Sequence, residues 1–202
     1  MTTSTTSRRE LLTRAGVELL EDSGPDALST RKVATRAGTT TMAVYTEFGS
    51  ISGLIASIVD YGFGLLNDAL AAIPSTNDPV ADLHRVSEQY RAFALAHPHL
   101  YRVMYAVGPV GGYVRNGPEL LQGSPAFGVH LRAVRRVVDT APPDDRPDAF
   151  DLAVQIWASV HGVVLIELSG FLASIEAQDP PDVLHSVVDG LVGATLSRHP
   201  VR

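Results

Sequence analysis

Seven histidines, twenty-two acidic side chains and no cysteine are the reactive groups of this 202-residue chain, so any chemistry must come from how they are spaced. His97 and His99 stand two apart around Pro98, a spacing that points two side chains roughly opposite ways on a helix. No H-x-x-x-H or H-E-x-x-H metal pattern occurs. His161 and Glu167 fall on different helical faces. There is no G-x-S-x-G elbow, phosphate loop, dinucleotide fingerprint or thiol nucleophile. The residues therefore predict a protein that is not an enzyme and holds neither a metal nor a cofactor.

The chemistry they do support is recognition. Residues 28–53, LSTRKVATRAGTTTMAVYTEFGSISG, read as two short helices around a tight glycine turn. Ser29 can cap the first, whose apolar positions Val33, Ala34 and Ala37 share a face, and Gly38 sits where a left-handed residue would end it. Thr40 or Thr41 can cap the second, with Val44, Tyr45 and Phe48 as its buried side. Gly49-Ser50 then breaks it and caps a long helix from near Ile51. Each helix is shorter than the roughly 12 to 15 residues needed for stability alone in water, so flanking helices must pack the pair. This arrangement reads as a DNA-reading element.

Charge is consistent with that reading once its distribution is considered. The net charge of -6 falls wholly downstream: residues 1–50 hold six basic and six acidic groups, and residues 51–202 hold ten and sixteen. A neutral front with clustered arginines permits DNA binding, although basic residues on a helix are often only a solvated face. The polar start MTTSTTSRRE has no apolar run after its arginines and reads as an arm, not a signal peptide.

The elements that must position this pair are all helical. A first helix is expected over 7–22, with Leu11, Leu12, Ala15, Leu19 and Leu20 at helical spacing. The long helix from Ser50 to about Ile73 is interrupted by Gly62 and Gly64, each costing about 1 kcal/mol against alanine; close packing and a pivot are both open readings. Pro79 starts a helix to about His97, and HPHLYRVMYA a short one. Residues 108–125 carry too many glycines and prolines for regular structure, and a lid is one reading of them. Further helices are expected over 124–140, 147–175 and 180–197. The second of these is apolar nearly all round, which fits the centre of a bundle or a subunit interface. His161 and Glu167 inside it disfavour a membrane span. No strand pattern or internal repeat appears.

This order, three short helices, a long linking helix and an apolar bundle, resembles the TetR family of bacterial one-component transcriptional regulators. LSTRKVATRAGTTTMAVYTEFGSISGLI is similar to that family's helix-turn-helix signature. HPHLYRVMY and WASVHGVVLIEL resemble a subgroup named for a tryptophan-histidine-glycine motif in its ligand domain. The resemblance implies an all-α homodimer of about nine helices per chain. A DNA-binding domain over 1–49 would be joined by the long helix to a ligand-binding and dimerisation domain over 50–202, with dimerisation through the last two helices. It also implies a cytoplasmic protein that binds an operator and a small-molecule effector, and no membrane.

Carried over by position, the resemblance places Thr40, Thr41 and Met42 at the start of the recognition helix, reaching base edges. Arg31 matches a position that reaches guanine, Tyr45 one that bonds phosphate, and Thr30 and Thr46 are phosphate contacts that position without reading sequence. The chain departs from the family at Glu47 and Ile51, where a histidine and a lysine are frequent. Both changes remove a phosphate partner, which implies weak binding with a shallow salt dependence. They also leave an alternative open: a helical ligand-binding dimer with weakened or lost DNA binding.

The same resemblance gives Phe63, Leu66, Tyr101, Met104, Tyr105, Phe127, Leu131, Trp157 and His161 as effector contacts. Trp157 and His161, four apart, share a helical face. Each also has a plainer reading as a core residue. The implied effector is small and mostly apolar, with one polar group.

Overall fold

The computed structural model describes residues 7–105, 113, 124–174 and 179–197, except for the side chain of residue 173. Among them are nine α-helices and no strand: α1 Arg8–Ser23, α2 Thr30–Arg36, α3 Thr41–Phe48, α4 Ile51–Ala71, α5 Pro79–Ala96, α6 Pro98–Met104, α7 Pro125–Val138, α8 Ala149–Leu168 and α9 Pro180–Ser197. The lid expected over 108–125 lies, but for Tyr113 and its last two residues, outside the described residues. The chain divides into two compact units, one of residues 1–65 and 97–117 and the other of residues 66–96 and 118–202.

In the first unit local sequence sets the helix ends. Ser7, Ser29 and Thr40 accept from the amides of Glu10, Lys32 and Ala43, so Thr40 and not Thr41 caps α3. After α2 the Thr39 amide reaches back to the Ala34 carbonyl at 2.9 Å, and Gly38 takes φ 65°, which stops the helix and turns the chain into α3. Leu12, Leu20, Val33, Val44, Leu54, Ile55 and Ile58 are fully buried and bind α1 to α4 into one core. Two glycines lie at close approaches, and the second, against backbone, admits no other residue. A Cβ on Gly16 would stand 2.6 Å from Ile58 Cδ1, and one on Gly53 would stand 2.1 Å from the Phe48 carbonyl oxygen.

Two expectations change here, and one open reading is decided. α3 buries Ala43 and Val44, while Tyr45, about 100° further round the helix, is 50% exposed. α4 stops at Ala71, two residues early. It also runs unbroken through Gly62 and Gly64: a Cβ at Gly62 would meet Met104 Sδ at 2.6 Å, so this glycine serves close packing against α6.

In the second unit α5, α7, α8 and α9 pack around Leu83, Val134, Leu152, Ile156, Val164, Leu184 and Val188. Asp148 caps α8 by accepting from the amides of Phe150 and Asp151 at 2.7 and 3.0 Å. α8 is shorter than the apolar run 147–175 predicts. Gly170 takes φ 77° and ends it, and a short 3-10 turn follows over Leu172–Ser174. α4 and α8 are long and apolar enough to cross a membrane by length and composition, but Leu54, Ile55 and Ile58 of α4 and Ile156, Val160 and Val164 of α8 are core residues. Asp82 on α5 holds the turn before it: its carboxylate accepts from the Thr76 amide at 2.9 Å and hydroxyl at 2.7 Å and pairs with Arg85 and Arg136. Burial works to raise the pKa of this carboxyl, but the Thr76 bonds and the Arg136 guanidinium overcome it and hold the value at about 2.

Candidate nucleic-acid interface and effector residues

The first unit carries the predicted DNA contacts at the start of α2 and along α3. At the head of α2, Thr30 is half-buried and Arg31 exposed; at the head of α3, Thr40, Thr41 and Met42 are exposed, Met42 at 70%. Thr41, Met42, Tyr45 and Thr46 stand three and four apart and form one outward face, opposite Ala43 and Val44. Two hydroxyls on this surface already hold local bonds. Thr40 caps its helix, and Thr46 donates to the Met42 carbonyl at 2.9 Å. Met42 and Tyr45 are therefore large, partly apolar side chains held in solvent, where a monomeric fold gains nothing from them.

Basic residues of this unit divide by partner. Arg14 pairs with Glu10 at 2.8 Å and Arg36 with Asp22 at 2.6 Å, while among the described residues no ion pair involves Arg31 or Lys32. Those two cations are the ones α2 offers to a ligand. Sequence reasoning missed Arg9. Its guanidinium donates to the Glu47 carbonyl and lies 4.5 Å over the Phe48 ring.

The predicted effector residues fall into two groups, one in each unit. In the first unit Phe63 meets Tyr105 edge-on with ring centroids 5.4 Å apart, Tyr105 lies 4.9 Å from Tyr101, and Met104 packs on the Gly62 backbone. Tyr101 and Met104 are buried, as core residues are. In the second unit Trp157 stacks on His161 at 5.6 Å and 22°, and Phe127 approaches Trp157 edge-on at 6.5 Å. Leu131 is half-buried there and Leu66 buried.

The second group has a polar centre that sequence reasoning did not identify. Tyr90 Oη lies 2.9 Å from His161 Nδ1, joining α5 to α8. Burial lowers the His161 pKa, which favours the neutral ring. Tyr90 sits among Leu83, Val86 and Phe93 in the sequence and reads as plain core, so no local signal marks it. Six residues further along α8, Arg91 donates to both carboxylate oxygens of Glu167, Nε to Oε2 at 2.6 Å. The Glu167 bond raises the Arg91 pKa, and burial opposes it. His130 on α7 is buried and bonds the Ala153 carbonyl through Nε2 at 2.9 Å; burial lowers its pKa to about 4. A separate open groove of about 420 Å³ is lined by Ala69, Ala72, Ile73, Pro74, Arg85, Glu88, Gln89 and Ala92, none of them a predicted effector residue. No group of three or more metal-ligating side chains forms among the described residues.

Comparison with known proteins agrees with this geometry in both parts of the chain. Residues 12–58 match the bacterial regulatory proteins of the tetR family, and residues 83–191, more than half of the chain, match the tetracyclin repressor-like C-terminal domain. A helix-turn-helix transcriptional regulator of Mycobacterium tuberculosis is 26% identical over 172 residues, 83% of this chain and 73% of that protein. Among solved structures, a protein of unknown function from Rhodococcus sp. RHA1 aligns with a TM-score of 0.71 at 23% identity, covering 95% of this chain and 97% of that one. A TetR variant from Acinetobacter baumannii AYE, in complex with minocycline, aligns with a TM-score of 0.63 at 19% identity, covering 98% and 100%. Family members are transcription regulators and not enzymes, and they bind DNA and small-molecule effectors as dimers. With its three-helix head and its tetracyclin repressor-like C-terminal region, the chain belongs to the TetR family of DNA-binding transcriptional regulators.

Proposed function

We propose that this regulator is a cytoplasmic homodimeric repressor that binds a pseudo-palindromic operator and is released by a small, mostly apolar effector. The observation that carries the DNA part is the outward face of α3, with Met42 70% and Tyr45 50% exposed, together with an exposed Arg31 that makes no ion pair among the described residues. One such helix per subunit enters successive major grooves about 34 Å apart. Thr40, Thr41, Met42 and Arg31 read bases, while Thr30, Tyr45 and Thr46 hold the backbone. Residues 1–49 act as the DNA-binding domain and residues 50–202 as the ligand-binding and dimerisation domain, with the subunits joined through α8 and α9. Exposed Leu165 and Ile166 on α8 support that dimer face.

Effector recognition centres on Phe127, Trp157 and His161, and the Tyr90–His161 pair supplies the one polar contact. Effector binding shifts α4 and moves the heads out of register with the grooves. By linkage, operator must weaken effector binding by the factor with which effector weakens operator binding. Calorimetry of the effector with and without saturating operator measures the first term, and fluorescence anisotropy on fragments of the protein's own promoter, with and without effector, the second. Effector affinity unchanged by operator removes the allosteric part. Absence of any DNA complex, in a protein that still folds and dimerises, favours the ligand-binding dimer that Glu47 and Ile51 suggest.

A further inference from the structure

Arg9 stands at the start of α1 yet spends its guanidinium on the far end of α3. α3 has no basic residue in its last turn, so nothing within it offsets the negative end of its dipole. The Glu47 carbonyl is one of the four that a helix C-terminus leaves without an amide partner. Arg9 Nη1 donates to it, and the guanidinium lies 4.5 Å over the Phe48 ring. The cation thus caps a helix that is not its own.

The base of Arg9 is also fixed. Thr13, only 4% exposed, donates through Oγ1 to the Arg9 carbonyl at 2.9 Å, and the same hydroxyl lies 2.9 Å from Ser57 Oγ on α4. A polar chain therefore runs from Ser57 through Thr13 and Arg9 to Glu47 and Phe48, joining α4, α1 and α3 in one unit. At the same end of α3, Gly53 of α4 meets the Phe48 carbonyl so closely that no side chain fits. The end of the recognition helix is held between α1 and α4.

We propose that Arg9 is a positioning residue for the recognition helix, capping its C-terminus from α1, and that Thr13 and Ser57 tie that cap to α4. It carries the orientation of Met42 and Tyr45 and does not itself contact phosphate. The DNA arm of the test rests on the proposed DNA reading; the exchange arm does not.

Amide hydrogen exchange on the free full-length protein is the first measurement. Arg9→Ala is expected to speed exchange at Phe48 and Gly49 about tenfold, with α2 unchanged, and Arg9→Lys to give an intermediate rate because it keeps charge and loses the planar stack. Thr13→Val is expected to speed the same two amides by a smaller factor. Circular dichroism checks that each variant folds. An unaltered rate in Arg9→Ala overturns the cap, and an unaltered rate in Thr13→Val overturns the tie to α4. The second measurement is operator affinity against salt. Arg9→Ala should weaken binding about tenfold with the slope of log K against log salt unchanged. A slope shallower by about 0.9 would make Arg9 a phosphate contact and overturn the proposal.

Discussion

The side chains that mark the two units face in opposite directions. On α3 the large side chains Met42 and Tyr45 face water, as Arg31 does on α2, and the fold draws little stability from them. In the C-terminal unit His130, Asp82 and the Arg91–Glu167 pair are turned inward, each with named partners. Outward groups are available to a partner and cheap to replace; inward groups fix which helix packs on which and are costly to break. A substitution in the first set should cost binding and spare stability, and one in the second should do the reverse.

The strongest challenge to that contrast is Glu167→Leu, which leaves the Arg91 guanidinium without its carboxylate in a half-buried place. A loss of about 3 kcal/mol in urea unfolding is expected, with the double change Arg91→Met and Glu167→Leu recovering much of it. A single variant as stable as the parent would show that the pair specifies nothing.

His130 gives an effect of similar size through pH. Its pKa falls from an ordinary 6.5 to about 4 on folding, so the unfolded chain binds more protons between those values. Stability should therefore decline as pH drops from about 6.5 to about 4, by on the order of 3 kcal/mol, and this contribution should level off below. Unfolding curves across that range, compared with His130→Gln, isolate it; an identical slope in the variant would assign the pH dependence elsewhere.

On the opposite side of the comparison, Arg31→Ala should cost about 2 kcal/mol of operator binding and relax preference at one guanine. Its midpoint of thermal unfolding should stay within the change expected for about 0.5 kcal/mol. Selection of bound sequences from a random pool measures the relaxed position. The smallest effect belongs to Met42→Ala, about 1 kcal/mol of binding through lost thymine-methyl contact, with stability again nearly unchanged. If Met42→Ala unfolds the head and leaves binding per folded molecule intact, the residue is packing and the face has been misread.

Much of the head is legible in the sequence because its signals are local. Ser29, Gly38, Thr40 and Gly49 act within a few residues of where they stand, and helix ends follow from them. Tyr45 shows the limit: an eight-residue helix makes barely two turns, so its apolar pattern does not decide which side of Val44 turns inward. α8 shows another, because apolar residues continue past Gly170, at Phe171 and Leu172, and mask the stop that it imposes.

By itself, then, the sequence determined an all-helical chain, the capped helix pair near its start and the family to which it belongs, since caps, periodicity and glycine turns act over short spans of chain. Only the tertiary structure decided that Arg9 caps α3 from 38 residues away, that Tyr90 meets His161 across 71 and that Arg91 clasps Glu167 across 76. Such bonds depend on which helices pack together, and the spacing of residues along one helix says nothing about its neighbour.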